Sequence, residues 1–473
     1  MLDWIIIGFY FVMMLAVGFY SFRKREATGS AGFFVANRKA GIFLVAGSLA
    51  ATFIGASIVL GMVGRGYRMG LPAVWWLLPG AIGLVILGLF LAGKVRKTGV
   101  YTLPELVEKQ YGGKAELVAS LVIVAAWISI CAAQIVAGGK ILNALIPSWN
   151  ISTLMPICAV VFIIYTVLGG QFSVVRTDLI QLIIIIIGIL VALGIIMHDV
   201  GGVGGLKGSL PSDYFSFPVN SSFGWYDWVV MLILTGSVYV VGPDMYSRLL
   251  CARDEKVAKA SALGATLVAV PVAFIVVLIG MGAKVLIPNI TPAQAETAFP
   301  MIIKQFLPVG ISGLVVAALL AAIMSSASTV ILTTSTILCV DVGGKVFPHV
   351  AERRRLLATK WGIVVIGILA TLVAMKSQGI ISYLYNSYYI FTSGIVIPVV
   401  AGFYKDKLRV NSAGALAAIV GGGGTALVIK LAGVHHLELV GFGVCGILLF
   451  GVSWLTGRMK RWKSHGWDTP VSK

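Results

Sequence analysis

Charge is the scarcest property of this 473-residue sequence. Only 11% of its residues are Asp, Glu, Lys or Arg, whereas 59% are hydrophobic. The mean hydropathy is +0.98. A soluble globule needs far more polar surface than these residues could supply. The composition therefore excludes a soluble protein and indicates a polytopic membrane protein.

Cysteine and histidine are also scarce, with five of each in the chain. The cysteines are scattered and form no Cys-x-x-Cys pair, so neither a disulfide framework nor a zinc site is indicated. A membrane enzyme would need acid, base or metal-binding residues clustered at one face, and the loops supply mainly lysine and arginine. A channel would need a filter motif, and none is visible. We therefore expect no enzymatic activity and no cofactor.

Long apolar runs, in contrast, are abundant. Runs of about 20 residues match helices that cross a bilayer, whereas barrel strands would be about ten residues long with alternating faces. We therefore predict an all-α protein with thirteen membrane helices. Their predicted bounds are 3–22, 42–68, 71–93, 116–146, 152–169, 174–198, 225–248, 260–287, 306–341, 358–376, 380–403, 413–432 and 437–456.

The basic residues predict the orientation of these helices. Seven connections hold 28 of the 36 Lys and Arg residues: 22–41, 93–115, 170–178, 248–260, 342–360, 404–412 and the tail after 456. Because cytoplasmic loops carry the excess of positive charge, these connections are predicted to be cytoplasmic. The N-terminus is then outside and the C-terminus inside, in the cytoplasmic (inner) cell membrane. The net charge of +18 then reflects topology and attraction to anionic lipid, not nucleic-acid binding.

The apolar run from Ala317 to Thr336 is crowded with hydroxyl side chains in its second half. At helical spacing, Ser325, Ser328 and Thr329 fall on one face. Neutral oxygens at membrane depth suit a dehydrated alkali cation. They equally suit close helix packing, because small hydroxyl residues let membrane helices approach each other. This stretch alone leaves both interpretations open.

Two of the predicted helices carry signs of interruption. Glycine occurs at 55, 61, 64, 66 and 70 in one of them, and Gly242–Pro243 interrupts the other. Such residues disfavour a continuous helix, although glycines also allow tight packing. Broken helices at membrane depth persist where the freed backbone lines a cavity or an ion site. One early break in each of two five-helix blocks is typical of an inverted-repeat transporter.

These breaks predict how the chain is divided. Residues 1–41 form an extra N-terminal helix and loop, and 42–198 form the first repeat. Residues 199–224 form an outer loop, and 225–403 form the second repeat. Residues 404–473 form two C-terminal helices and a tail.

An ionisable residue, Asp178, lies near the predicted cytoplasmic end of its helix. Charged residues at membrane depth indicate function, although helix ends also hold carboxylates for interfacial reasons. Arg176 is a candidate partner or an interfacial anchor. With Asp178 as a proton carrier, the protein would be a proton-coupled transporter.

Five stretches resemble the sodium/solute symporter family, which includes sodium/proline, pantothenate, sialic acid and glucose transporters. They are FFVANRKAG at 33–41, TLPELVEKQYG at 102–112, GGQFSVVRTDLIQ at 169–181, YSRLLCARDEKVA at 246–258 and AAIMSSASTVILTTSTILCVDV at 321–342. The resemblance implies a LeuT-like core of two inverted five-helix repeats, with one helix before it and two after it. It also implies sodium-coupled symport of a small solute by alternating access, and we expect a monomer.

The resemblance further implies where sodium binds. The coupling ion would lie between the first broken helix and the fourth helix of the second repeat. Position by position, its ligands would be the carbonyls of Ala51, Ile54 and Ala322 with the hydroxyls of Ser325 and Ser326. Five neutral oxygens can replace much of the hydration of sodium and still release it.

Some family members hold a second sodium ion nearer the cytoplasm. Its ligands would match Asp178, Ser325, Ser328 and Thr329 here. Many relatives have an aromatic residue where this chain has Arg176, and pairing of Arg176 with Asp178 would oppose a second ion.

The solute is expected beside both breaks, in a pocket lined by Gly55, Ala56, Ile58, Val59, Thr235, Tyr239 and Gly242. Sugar-transporting relatives have polar residues at the positions of Ile58 and Gly242, where this chain offers a sugar only backbone. Because a buried hydroxyl without a partner costs roughly 1–3 kcal/mol, the pocket favours a partly apolar carboxylate. Such a solute is an amino acid, a monocarboxylate or a pantothenate-like acid, held by backbone amides at the break. A sodium-driven sugar or sialic acid symporter is the alternative.

Overall fold

The fold is built from helices. The computed structural model describes residues 1–26, 29–349, 351–376, 379–434 and 436–465, and within these ranges no β-strand is present. The predicted all-α class is therefore confirmed. Because a helix pairs its backbone N–H and C=O groups internally, except in its first and last turns, this is the expected solution for a chain of such apolarity.

Among the described residues, ten helices are long and apolar enough to cross a membrane, and a bent pair of shorter helices, taken as one span, makes eleven. The ten are Leu71–Thr98, Gly113–Leu145, Ile151–Val200, Trp225–Leu249, Glu255–Leu286, Ile311–Val346, Arg353–Ala374, Ile380–Gly402, Ser412–Leu431 and Val440–Arg458. The bent pair is Ile42–Phe53 with Ser57–Met69. The chain begins with the helix Leu2–Glu26. The predicted total of thirteen stays a prediction.

One of these helices is longer than any bilayer requires. Ile151–Val200 has 50 residues, or about 75 Å at the usual helical rise, against a hydrocarbon core of about 30 Å. At Gly170 the backbone leaves helical geometry, with φ 59° and ψ −177°. Only glycine adopts these angles readily. This residue falls between the two helices that the sequence predicts here.

Shorter helices occupy the connections. They are Gly29–Val35, Leu103–Tyr111, Gly202–Ser209 and Ala298–Phe306. The Thr102 hydroxyl caps the second of them by accepting a hydrogen bond of 3.1 Å from the backbone N–H of Glu105. Threonine before the first turn and proline within it, here Thr102 and Pro104, are typical of a helix start.

Both predicted interruptions are present. The first broken helix, Ile42–Phe53 with Ser57–Met69, bends by 50°, and Ile54 at the break has φ −90° and ψ 69°. The second broken helix, Trp225–Val241 with Pro243–Leu249, loses helical geometry at Gly242, where ψ is 131°. A residue before proline is driven out of the helical region by steric contact, which explains the second break.

The helix rich in hydroxyl groups lies at the centre of the bundle. This hydroxyl helix, Ile311–Thr336, continues through a π-helical turn, Ile337–Val342. Of the 18 residues in its most apolar segment, 94% are buried inside the protein. The corresponding share in the helix Arg353–Ala374 is 33%. The hydroxyl groups therefore face other helices and not lipid.

The N-terminus of the hydroxyl helix is capped by a side chain that is far away in the sequence. The carboxylate of Asp3 accepts hydrogen bonds from the Gly310 N–H at 2.7 Å, the Ser312 hydroxyl at 2.9 Å and the Gly313 N–H at 2.9 Å. Negative charge at a helix N-terminus is stabilising, because the N–H groups there have no partners within the helix. The first helix is thereby fixed to the central one.

The second half of the first broken helix, Ser57–Met69, which we call its outer half, packs directly against the backbone of Glu255–Leu286. A Cβ on Gly66 would lie 2.8 Å from the Val277 carbonyl oxygen, and one on Gly280 would lie 2.3 Å from the Val63 carbonyl oxygen. No side chain larger than hydrogen fits at either position, so the two backbones touch.

Four expectations stay predictions: the boundaries of the two repeats, an N-terminus on the outside, location in the inner membrane and a monomeric state. In keeping with the predicted orientation, we call the end of the bundle that carries 199–224 the outer end.

Replacing Asp3 by Ala should lower the melting temperature of the purified protein in detergent. Loss of a capping interaction typically costs about 0.5–2 kcal/mol. Asp406, an exposed carboxylate in the short helix Lys405–Leu408, supplies the control variant Asp406→Ala, which should melt like the wild type. Equal melting of Asp3→Ala and the control would show that the cap contributes nothing.

Candidate sodium and solute site

The break in the first helix frees two backbone carbonyl groups at membrane depth. In a continuous helix the carbonyls of Ala51 and Thr52 would accept from the N–H groups of Gly55 and Ala56. Here the Ala56 N–H donates instead to the side-chain oxygen of Gln134, at 3.1 Å. A buried carbonyl without a partner is costly, so both carbonyls need new donors.

The hydroxyl helix supplies those donors. The Ser325 hydroxyl lies 3.0 Å from the Ala51 oxygen and 3.0 Å from the Ala322 oxygen. The Ser326 hydroxyl donates to the Thr52 oxygen at 2.8 Å. These bonds connect the two elements between which the family resemblance places sodium.

Of the five predicted sodium ligands, the Ser325 hydroxyl therefore lies within hydrogen-bonding distance of two others, the carbonyl oxygens of Ala51 and Ala322. The fourth, Ser326, sits beside the break, since a Cβ on Gly55 would lie 2.4 Å from its hydroxyl oxygen. The fifth, Ile54, is the residue at which the helix ends. All five groups are uncharged oxygens, which suits a monovalent cation that must bind and leave.

Most other members of the hydroxyl column, the series of Ser and Thr side chains from Ser325 to Thr336, bond within their own helix. Thr334, Ser335 and Thr336 each donate to a carbonyl one turn back in their own helix, at 2.7 to 2.8 Å. Ser328 donates to the Ser325 carbonyl at 3.2 Å. The packing interpretation therefore fits this part of the column, whereas Ser325 and Ser326 reach across to a neighbouring helix.

The predicted second sodium site contains an arginine. The Asp178 carboxylate accepts hydrogen bonds from Ser48 at 2.5 Å and from the guanidinium of Arg248 at 3.2 Å. The same guanidinium nitrogen donates to the Thr329 hydroxyl. Both charged side chains are 0% exposed. A fixed positive charge thus lies between Asp178 and Thr329, two of the predicted ligands.

Sequence reasoning placed Arg248 incorrectly, among the basic residues of a cytoplasmic loop. The helix Pro243–Leu249 instead carries it into the protein core. The available signal was that Arg248 precedes the apolar residues 249–251, whereas the charged loop begins at Arg253. Arg176 does not pair with Asp178, because its guanidinium stacks 4.0 Å from the centre of the Phe172 ring.

The two breaks meet through aromatic rings. The rings of Phe53 and Tyr239 are in edge contact, with centroids 4.3 Å apart. The Tyr239 hydroxyl lies 3.5 Å from that of Tyr388. Sequence reasoning named Tyr239 but missed Phe53, Tyr388 and the buried amide of Gln134. The last was detectable as the one amide side chain in an apolar stretch, WISICAAQIVAGG.

The other predicted solute residues are buried, and their polar groups contact partners close to them in the sequence. The N–H groups of Ile58 and Val59 both donate to the Gly55 carbonyl, at 2.9 and 3.1 Å. The Thr235 hydroxyl lies 3.6 Å from the sulfur of Met231, and the Gly242 N–H donates to the Val238 carbonyl at 2.5 Å. The structure thus connects Tyr239 to the first break directly, through Phe53.

Comparison with known proteins now decides the family. The profile of the sodium:solute symporter family matches residues 33–422. The chain belongs to this family. It is therefore a sodium-coupled solute symporter, and the resemblance deduced from the five sequence stretches is confirmed.

Known relatives of the symporter are similar over most of their length. The sodium/glucose cotransporter of Vibrio parahaemolyticus is 26% identical over 465 residues, which cover 91% of this chain and 85% of the relative. Solute carrier family 5 member 4B of Mus musculus is 25% identical, with coverage of 95% and 78%. The family consists of transporters, which agrees with the expectation that the symporter is not an enzyme.

Solved structures support the predicted LeuT-like fold of the symporter. A sodium-coupled sialic acid symporter, substrate-bound and open to the outside, superposes with a TM-score of 0.83 at 20% identity, over 96% of this chain and 98% of that one. MhsT in complex with L-phenylalanine gives a TM-score of 0.57 at 14% identity, over 88% and 99%. The fold prediction is confirmed.

Removing the Ser325 hydroxyl should weaken sodium binding by the symporter. A lost ligand to a charged group costs on the order of 1.5–3 kcal/mol, which corresponds to roughly a ten- to hundredfold higher sodium concentration for half-maximal uptake. Ser335→Ala is the matched control, since it removes a buried hydroxyl of the same helix that bonds only within that helix. Uptake by Ser325→Ala with the sodium dependence of Ser335→Ala would refute the assignment.

Proposed function

We propose that this symporter imports a small organic carboxylate, driven by one sodium ion held at Ser325, by alternating access. The observation that carries the sodium site is the position of the Ser325 hydroxyl. It lies between a carbonyl of the first broken helix, at Ala51, and a carbonyl of its own helix, at Ala322. An ion at this point would bind the two helices to each other, so its arrival and departure would change how firmly they are joined.

The full set of proposed ligands comprises Ala51, Ile54 and Ala322 through carbonyls and Ser325 and Ser326 through hydroxyls. When such a hydroxyl binds a cation, its proton must point away from the ion, and the carbonyl that accepted the proton becomes a ligand instead. The bonds at 3.0 Å are therefore compatible with conversion to a cation site without large movement.

The arrangement at Asp178 favours a single coupling ion. Arg248 and Asp178 are both 0% exposed and paired at 3.2 Å. Moving either charge away from the other inside the protein is costly, because an uncompensated buried charge destabilises by several kcal/mol. A sodium ion at Asp178, Ser325, Ser328 and Thr329 would have to displace or repel the guanidinium. The second site stays a prediction that this geometry opposes.

The same ion pair argues against proton coupling. A proton carrier must exchange its proton with water during the transport cycle. The Asp178 carboxylate is fully buried, and its charge is already balanced by Arg248. Sodium coupling therefore remains the proposal.

We expect uptake to rise with sodium concentration with a Hill coefficient of one. Asp178→Asn should reduce the yield of folded protein, because Arg248 would be left buried without a counter-charge. The double variant Asp178→Asn with Arg248→Gln removes both charges and should recover part of that yield, still with a coefficient of one. A wild-type coefficient clearly above one, lowered to one in the double variant, would instead support the second ion.

The walls near both breaks support a partly apolar solute. Phe53 and Tyr239 present aromatic rings there, and Ile58 is 1% exposed and surrounded by other buried residues. Ile58 and Gly242 offer no polar side chain. A carboxylate head group with a short apolar body would satisfy these surfaces better than a polyol, whose buried hydroxyls would need partners.

A sugar is the second candidate, and two observations favour it. Relatives include sodium/glucose cotransporters and the sodium/myo-inositol cotransporter 2 of Rattus norvegicus, which is 25% identical over 88% of this chain. In addition, Gln134 and the paired hydroxyls of Tyr239 and Tyr388 bring polar groups to the breaks. These groups could serve the hydroxyls of a sugar.

Uptake into proteoliposomes should decide between the two solutes. We expect sodium-driven accumulation of one or more carboxylates from a labelled panel of amino acids, organic acids, sugars and nucleobases. Replacing sodium by choline should abolish that accumulation. Strong transport of glucose or galactose, with no response to any carboxylate, would overturn the carboxylate proposal and leave sodium coupling intact.

A further inference from the structure

A cavity of about 570 Å³ opens at the outer end of the bundle, between both broken helices and Ile380–Gly402. Two of its lining residues relate it to the solute pocket. Arg65 follows Ile58 by seven residues, in the half of the first broken helix that leads to the outer end. Met231 precedes Thr235 by one turn, and its sulfur contacts the Thr235 hydroxyl at 3.6 Å. The cavity therefore lies on the outer side of the proposed solute site, and we call it the vestibule.

Arg65 is fixed in position in the wall of the vestibule. Its guanidinium lies 4.5 Å from the centre of the Trp76 ring, in a cation–π contact. Its two neighbours in sequence are glycines in close backbone contact: a Cβ on Gly64 would lie 2.8 Å from the Ala295 carbonyl, and one on Gly66 equally close to that of Val277. The backbone on each side of Arg65 is therefore held by a neighbouring segment.

Arg65 is nevertheless short of hydrogen-bond acceptors. Within the described part of the chain, its Nε is buried and has no hydrogen-bond partner, and no ion pair involves this side chain. Buried N–H donors such as this Nε normally bond to acceptors, because an unpaired buried donor is costly. The missing acceptor is what an anionic ligand would provide.

The acidic groups nearby are already engaged. Asp227 accepts from the Gly224 N–H at 2.9 Å, and Glu438 accepts from the Tyr226 hydroxyl at 2.6 Å. Glu296, whose backbone packs against Gly64, is paired with Lys140 at 2.5 Å.

The lining of the vestibule has an excess of positive charge. Its charged members are the cations Arg65, Arg68 and Lys430 and the anions Asp227 and Glu438. One net positive charge thus faces the opening, and Arg65 is the member of this set nearest in sequence to the first break.

We propose that the vestibule is an anion-capture site, in which the guanidinium of Arg65 binds the carboxylate of an incoming solute before that solute reaches the breaks. The planar fork of arginine matches a carboxylate with two parallel hydrogen bonds, and stacking on Trp76 orients the fork in advance. This inference rests on the proposed carboxylate function and adds a residue that selects for the charge.

Binding to the purified full-length protein in detergent tests the proposal, with the sodium chloride concentration held constant. The probes are matched acids and neutral analogues: L-proline with L-prolinamide, lactate with lactamide, and pantothenate with panthenol. Tryptophan fluorescence is a suitable readout because Trp76 lies beneath the guanidinium. We expect at least one acid to bind more tightly than its neutral partner.

Arg65→Gln should remove this preference by weakening binding of the acid roughly ten- to hundredfold, as expected for loss of a charge-assisted hydrogen bond, while the neutral analogue is little affected. Arg65→Lys keeps the charge without the fork and should show an intermediate loss. Arg458→Gln is the control, because Arg458 also stacks on a tryptophan, Trp454, at 5.2 Å, but lies outside the vestibule.

Acid affinity that is the same in Arg65→Gln and Arg458→Gln would overturn the capture site, while sodium-driven carboxylate uptake would still stand. If Arg65→Gln does not fold, unchanged acid affinity in Arg65→Lys overturns the site equally. If sugars bind to the wild type and no acid does, both the capture site and the carboxylate proposal fail.

Discussion

The rule that every backbone carbonyl buried at membrane depth must have a partner governs the centre of this molecule. Interrupting the first broken helix leaves Ala51 and Thr52 without their helical donors, and the hydroxyls of Ser325 and Ser326 take over that role. Gly55 is required at the break because any side chain there would overlap the Ser326 hydroxyl. The glycine makes room for the serines, and the serines provide the donors that the break removes from the two carbonyls. A sodium ion would be an alternative partner for the same oxygens.

A second constraint is electrostatic and lies close to the first. Arg248 and Asp178 are paired in the core and connect three elements: the second broken helix, Ile151–Val200 and, through Ser48, the first broken helix. The pair carries no net charge, so it adds little long-range repulsion to a cation at Ser325. It is costly to bury and more costly to separate, which favours one arrangement of these three elements over alternatives.

Much of this arrangement could be predicted from the sequence, because its signals are local. Apolar run length predicts the spans, glycine and proline predict both breaks, and the resemblance of the hydroxyl-rich stretch to the family points to Ser325. The long-range partners were not predictable in this way. The basic-loop count treats each Lys or Arg by its position between apolar runs, and this is why Arg248 was misplaced. Gln134 and Phe53 acquire their roles from residues more than 70 positions away, and no pattern around either one records those contacts.

The touching backbones of Gly66 and Gly280 impose a mechanical consequence. With no side chains between them, the outer half of the first broken helix and Glu255–Leu286 are packed as one rigid unit. Sliding one helix along the other would drive Cα atoms into carbonyl oxygens. Any change of angle within the first broken helix must then be taken up by the few peptide units around Ile54 to Ala56. The Ala51 carbonyl that contacts the Ser325 hydroxyl lies only three residues before those units, so the place where this helix can bend adjoins the proposed ion site.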